Sequence, residues 1–352
     1  MVELIIGNAG KRFSGVTSTM LQVLPVLRRE MQTVVLGPHH LPPGIPTISF
    51  PQMVRLARRL PAGTPPPVFH ARRNKEMVQA VLARDLLRAR LRLVFTSTAQ
   101  RHHTRFTNFL MRRMDALVTT SSTAAAYMKH PPDIVIPHGI DTETYRPCHD
   151  KEKAWRQLGF PGRRGIGIFG RIRPSKGSDL LVEAVLPLLD DFPDTTVLLC
   201  GKTTAKHRSF EEELRRRIRA AGREERFLFL GERPFAEVPA LFRAVSVTAA
   251  VSRSEGFGLT VLESMASATP VVATEAGAWR DIVTDGKDGF RVPVGDVEGI
   301  RSALRRLLAD PASAAAMGAQ ARRKVENHYT IEREATALAS FFRAVRRAPF
   351  SS

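Results

Sequence analysis

The feature that most limits how this chain can fold is an alternation, and it occurs twice. Short apolar runs rich in β-branched residues read as buried strands at 2–6, 33–36, 93–95, 116–119 and 134–136, with helix-like spacing at 15–29, 74–90 and 98–114. A second series places strands at 166–169, 196–199, 226–230, 245–250 and 270–273. Its helical patterns lie at 178–189, 209–221, 236–242 and 259–266. Apolar strands alternating with amphipathic helices give parallel sheets covered on both faces. At 352 residues the chain exceeds what one hydrophobic core supports, and the stretch 142–164 is polar and rich in turn residues. The expectation is an α/β chain of two doubly wound, Rossmann-like domains, 1–158 and 159–330. A last helical pattern within 331–352 is expected to pack back across the joint. Ligands of open α/β sheets bind beyond the carboxyl ends of the strands, so the two domains are expected to face each other across a cleft.

Composition excludes several classes. Charged residues at 25% and hydrophobic residues at 43% are those of a globular chain, not a disordered or fibrous one. Two cysteines, Cys148 and Cys200, are too few for a disulfide framework or a four-cysteine zinc site, which fits a reducing compartment. The first residues lack a basic region followed by an apolar stretch, and no apolar run approaches the roughly 18 residues of a spanning helix. A cytoplasmic protein is expected. The net charge is +19, and residues 1–150 hold 20 basic against 9 acidic side chains. Such an excess attracts anions, which leaves a phosphorylated substrate, an acidic membrane face and nucleic acid open. Aromatic residues at 7%, without basic-aromatic interleaving, argue against nucleic acid.

The loops after the strands carry the chemistry. Gly165-Ile166-Gly167-Ile168-Phe169-Gly170 matches the dinucleotide string, but its glycines fall inside a strand and no acidic residue ends a strand about 20 positions later. Gly170-Arg171-Ile172-Arg173-Pro174-Ser175-Lys176-Gly177 is a strand-to-helix loop with three cations, and Ser178 reads as the helix cap. A helix start with an arginine fork and a lysine point charge suits a diphosphate without metal. After the strand at 245–250 comes Ser254-Glu255-Gly256-Phe257-Gly258-Leu259-Thr260-Val261-Leu262-Glu263. Its glycines let backbone approach a ligand, and carboxylates eight apart can each accept sugar hydroxyls. Thr274-Glu275-Ala276-Gly277-Ala278 offers backbone N–H groups to phosphate. The first strand runs into Gly7-Asn8-Ala9-Gly10-Lys11-Arg12-Phe13-Ser14-Gly15, in which no lysine directly precedes a serine or threonine as in a P-loop.

Together with Val135-Ile136-Pro137-His138-Gly139-Ile140-Asp141, Phe229-Leu230-Gly231, the run from Met265 to Ala273 and the pairs Asp285-Gly286 and Asp288-Gly289, these motifs resemble the retaining glycosyltransferases of the GT-B fold, family four. The resemblance implies that Arg171 and Lys176 hold the donor diphosphate and Glu263 the nucleotide ribose. Glu255 with Gly256, Phe257, Gly258, Leu259 and Thr260 would hold the transferred sugar, and Gly15 would approach the reacting phosphate. It casts Glu255, Arg171 and Lys176 as the catalytic set, with the departing phosphate taking the acceptor's proton on the face it leaves. The sequence departs from the family at His138, usually asparagine, and at Ala268, usually glycine. Thr98 stands where many relatives carry a histidine, with His102 and His103 close by.

Phe69-His70-Ala71-Arg72-Arg73-Asn74-Lys75-Glu76-Met77, Thr96 to Arg101 and Met114-Asp115-Ala116 resemble the lipopolysaccharide-core mannosyltransferases of bacteria. That likeness implies mannose, GDP-mannose as donor, and an acidic inner-core glycolipid as acceptor, with Arg72, Arg73, Lys75 and Arg101 as acceptor contacts by position. No D-x-D string occurs, so no metal and no other cofactor is expected. Met53 to Leu60 is a basic, partly apolar stretch suited to the inner membrane surface. A different base or sugar, a nucleotide-sugar epimerase of the same fold, and a nucleic-acid-binding protein stand as alternatives.

Overall fold

A computed structural model describes residues 1–349. Their contacts divide into two units, 1–139 with 331 onward and 140–330. In the first unit seven parallel strands lie in the order β3-β2-β1-β4-β5-β6-β7: β1 Leu4–Gly7, β2 Thr33–Leu36, β3 Thr47–Ile48, β4 Val68–Ala71, β5 Arg92–Ser97, β6 Ala116–Thr119 and β7 Ile134–Val135. The second unit has six, β10-β9-β8-β11-β12-β13: β8 Arg164–Phe169, β9 Thr195–Cys200, β10 Phe227–Gly231, β11 Val247–Ala250, β12 Val271–Thr274 and β13 Phe290–Val292. Each sheet reverses its winding once, between β1 and β4 and between β8 and β11. The crevice of a doubly wound sheet opens at that reversal. The glycine- and cation-rich loops follow those four strands.

Four helices matter in the first unit: α1 Gly15–Glu30, α2 Phe50–Arg58, α3 Asn74–Val81 and α4 Arg105–Met111. One face of the sheet is covered by α1 and by the helix Ile331–Arg347, where Met20, Leu24 and Leu27 meet Leu338, Ala339 and Phe342. The last helix therefore belongs to the first unit. Ile5, Phe69, Met77 and Leu93 fill the other face. The second unit is likewise packed on both faces of its sheet.

The domain boundary lies earlier than position 158. Tyr145 and Trp155 are 1% and 0% exposed in the core of the second unit, and a Cβ on Gly165 would stand 2.0 Å from the Trp155 ring. The polar stretch is thus part of that unit rather than a linker. Local structure departs from the expected helices in two places. The pattern at 74–90 forms α3 and then a π turn, Leu82–Leu86, and the pattern at 98–114 becomes helical only after Thr104 caps Thr107 N at 3.2 Å. Among the described residues no helix is long and apolar enough to cross a membrane.

Candidate active site

The loops that leave β8 and β11 are bound to one another. A Cβ on Gly177, at φ +72°, would stand 2.0 Å from the Val251 carbonyl, so only glycine lets the two backbones meet. Gly177 therefore occupies the cap of the helix Ser178–Val185, and Ser178 is its first residue. Arg253 locks the junction. Its Nη1 and Nη2 donate to the two carboxylate oxygens of Asp179 at 2.8 and 2.7 Å, and its backbone N–H donates to Ser175 O at 2.9 Å.

Across this junction the Lys176 ammonium pairs with the Glu255 carboxylate, both side chains largely buried. Glu255 Oε1 also accepts from Gly256 N at 3.3 Å. Behind it, Glu263 Oε1 accepts from the Tyr145 hydroxyl at 3.1 Å. Burial pushes the Glu263 carboxyl up to about 7, while the Tyr145 hydrogen bond and the Lys176 charge oppose the rise. Lys176 thus stands within electrostatic reach of both glutamates. Three of the residues expected at the donor site are brought together.

Arg171 begins the same loop, exposed and without an ion pair among the described residues. Phe257 is 5% exposed and packs into the second unit's core, so its ring supports the loop from beneath. Gly256, Gly258, Leu259 and Thr260 run from that loop into the helix Thr260–Ala266. Gly258 is at φ +76°, its carbonyl accepting from Trp279 Nε1 at 2.8 Å, and Gly256 O accepts from Ala278 N at 3.2 Å. The loop after β12 is thereby stacked on the glycine loop. The glycines of the dinucleotide-like string serve packing: a Cβ on Gly167 would lie 2.6 Å from the Phe169 ring.

In the first unit the four acceptor candidates do not form one cluster. Glu76 is fully buried and accepts from Ala9 N at 3.2 Å, Arg72 N at 2.7 Å, Arg73 N at 3.1 Å and Arg73 Nη1 at 2.9 Å. Arg73 Nη2 donates to Ser14 Oγ and Thr17 Oγ1 at 3.2 and 2.9 Å. Arg73 is therefore a strut between β4 and the start of α1, beside Gly15, and its fork is occupied by the protein itself. Arg72 is held within the fold, where burial pushes it down to about 10 against the opposing charge of Glu76, and its Nε and Nη2 are buried without a hydrogen-bond partner among the described residues. Arg101 is exposed beyond β5. Lys75 lines a cavity of about 730 Å³ with Asn8, His39, Gln79 and Phe106 in its wall.

The histidines also separate. His103 Nε2 lies 3.0 Å from Ser97 Oγ, and His102 packs edge-on against Tyr127. His138 pairs through Nδ1 with Glu334 Oε1 at 2.7 Å, and Glu334 Oε2 accepts from Gly139 N at 2.8 Å. The residue that departs from the family's asparagine thus ties the end of the first sheet to the last helix. His70 Nε2 contacts Thr96 Oγ1 at 2.7 Å, and burial with Arg72 and His138 nearby holds His70 well below the usual imidazole value.

The family model for glycosyl transferases group 1 matches residues 150–324, the part that carries these two loops. The lipopolysaccharide core biosynthesis mannosyltransferase LpsB of Rhizobium meliloti (strain 1021) is 43% identical over 98% of this chain and 98% of its own length. The lipopolysaccharide core biosynthesis mannosyltransferase LpcC of Rhizobium leguminosarum bv. viciae is 41% identical over 98% of this chain and 97% of its own. The chain is a group 1 glycosyltransferase.

The transferase has the GT-B fold. Anabaena Alr3699/HepE, solved in complex with UDP and glucose, superposes with a TM-score of 0.82 over 98% of the transferase and 100% of that chain, at 19% identity. Sequence reasoning missed three residues that hold the transferase's loops in place: Arg253, Tyr145 and Glu76. Arg253 lies inside the second loop, where an arginine between serines reads as solvated. Glu76 carries the clearest signal, a lone acid after Arg72, Arg73 and Lys75.

Proposed function

We propose that this glycosyltransferase moves mannose from GDP-mannose onto an acidic, lipid-linked inner-core acceptor, with retention at the anomeric carbon and without a metal ion. The observation that carries the reading is the 43% identity, over nearly all of both chains, to a protein named as a lipopolysaccharide core mannosyltransferase. The ion-paired Lys176 and Glu255, with Glu263 behind them, supply a chemistry that fits it.

Breaking the bond from anomeric carbon to phosphate leaves positive charge on the sugar ring and negative charge on the diphosphate. Lys176, moving from Glu255 to the departing diphosphate, neutralises the second, and exposed Arg171 in the same loop adds its fork. A charge-assisted hydrogen bond contributes about 1.5–3 kcal/mol, so two cations account for a useful part of the barrier reduction. Glu255 then clamps sugar hydroxyls rather than attacking carbon, because the phosphate itself receives the acceptor's proton. Glu263, oriented by Tyr145, accepts from the ribose hydroxyls. The acceptor's acidic groups meet Lys75 at the cavity of the first unit. Peripheral attachment to the inner membrane places enzyme and acceptor together.

A thermal-shift panel of nucleoside diphosphates and their sugars tests the donor. GDP and GDP-mannose are expected to raise the unfolding temperature, and UDP-sugars much less. Stabilisation by UDP-glucose alone overturns the choice of base.

A further inference from the structure

Between positions 50 and 113 the chain carries fourteen cationic side chains against two acidic ones, Glu76 and Asp85. Glu76 is buried in the strut, and Asp85 pairs with Arg84 and Arg113. The same stretch holds five large apolar side chains that the fold leaves open: Val78 and Leu82 at 40% exposure, Leu86 at 69%, and Phe106 and Phe109 at 55% each. Val78, Leu82 and Leu86 recur every fourth residue along α3 and the π turn, which places them on one face. Asn74 Nδ2 donates to Thr107 Oγ1 at 2.8 Å, tying α4 and its two phenylalanines to α3. Arg55 and Arg58 of α2 and Arg59 just beyond it border this face, lining with Val54 and Leu87 a groove of about 600 Å³. Val78 and Phe106 are also walls of the 730 Å³ cavity that holds Lys75. Apolar face and cavity are continuous.

An exposed apolar cluster rimmed by cations, with its two acids already engaged, matches the boundary of an anionic bilayer. There apolar side chains enter the acyl region and arginines pair with lipid phosphates. A nucleic acid would use the cations but leave Leu82 and Leu86 in water. A second copy would set two such cationic faces against each other. We propose that the α3–π turn–α4 face, with the arginines of α2 at its rim, docks this enzyme on an anionic membrane, so that the adjoining cavity receives the glycan head of an acceptor presented from the same bilayer. The docking stands on the surface itself, while the cavity's part rests on the acceptor reading above.

Vesicle flotation of the full chain tests it. The protein is expected to float with phosphatidylglycerol–phosphatidylethanolamine vesicles and not with phosphatidylcholine alone, less so as salt rises. L82D/L86D/F109D, which touches neither cavity nor donor site, is expected to lower the bound-to-free ratio about tenfold or more. The same variant is expected to keep its rate on an acyl-free core oligosaccharide and lose it on acceptor embedded in vesicles. Flotation that the variant leaves unchanged, or equal flotation with phosphatidylcholine, overturns the docking. So does a dimer in solution that the variant dissolves, or retention on single-stranded RNA in place of vesicles. If flotation behaves as expected but neither acceptor receives mannose, the acceptor reading fails and the docking stands.

Discussion

Lys176 and Glu255 lie 79 residues apart in sequence and form an ion pair that joins the loop leaving β8 to the loop leaving β11. Each holds the other's charge in a place largely shielded from water, and Glu263 feels the same lysine. On the proposed reading, a diphosphate arriving there exchanges one anionic partner of Lys176 for another and frees Glu255 for a sugar.

Removing the charge of Glu255 while keeping its shape tests that exchange. Glu255→Gln is expected to lower kcat by about ten- to a hundredfold, in line with one charge-assisted hydrogen bond, with donor affinity within a few-fold of the parent. Lys176→Ala is expected to lose both donor affinity and kcat. Steady-state kinetics with donor titrated by calorimetry separates the two, and an unchanged rate in Glu255→Gln removes the carboxylate from the mechanism.

Gly258 shows how the loop's backbone sets the position of Glu255. Its φ is +76°, and a Cβ there would lie 2.4 Å from Trp279 Nε1 and 2.6 Å from Glu255 Cγ. Gly258→Ala therefore meets left-handed strain of about 1–2 kcal/mol and displaces the carboxylate. The expected result is a folded protein by circular dichroism with turnover reduced at least about tenfold. Parental kinetics would mean that the loop does not position Glu255.

Glu263 titrates in the working range. Burial keeps its proton bound up to about 7 in the folded chain, against 4.5 for the ordinary carboxyl, so the folded state binds more protons between those values. Its contribution to stability is complete below about 4.5 and is lost as pH rises through about 7. The loss amounts to about 3 kcal/mol at most. Urea unfolding of Glu263→Gln against the parent at a pH of about 4 and of about 8 should show the variant gaining at the higher pH. Tyr145→Phe removes the hydroxyl that favours the ionised form and should move the step upward. Parallel stability profiles for parent and Glu263→Gln would contradict this burial.

The strut in the first unit makes a prediction about stability. Glu76→Ala leaves Arg73 Nη1 and three backbone N–H groups without their acceptor, and breaking a buried pair by removing one partner costs about 3–5 kcal/mol. Glu76→Gln keeps an acceptor oxygen and should lose less. Urea titration measures both; equal stability of all three proteins would mean that the loop after β1 is held by something else.

The double winding was legible because buried strands and amphipathic helices imprint different periods on sequence, and β2 and β6 lie where their apolar runs begin and end. Three strands escaped: β3 has two residues, β13 has three, and β4 lies between a run of prolines and Arg72. The helices Val297–Ala309 and Pro311–His328 escaped too, although Asp310 followed by Pro311 is a helix-start signal. At the donor loops, glycine and cation spacing pointed to Lys176, Glu255 and Glu263. It could not reveal Arg253 on Asp179, Tyr145 on Glu263 or His138 on Glu334, since those partners lie 74, 118 and 196 residues apart and only the fold brings them together. The acceptor candidates separate for the opposite reason. Adjacent cations in sequence point in different directions once a strand ends, so Arg73 turned inward to Glu76 while Lys75 reached a cavity.

Transfer of labelled mannose from GDP-mannose to isolated inner-core acceptor, run in excess chelator, tests directly whether protein cations alone stabilise the leaving diphosphate. Product is expected at the rate seen without chelator, and that rate should collapse in Lys176→Ala. Loss of turnover in chelator, restored by adding back magnesium or manganese, would contradict it.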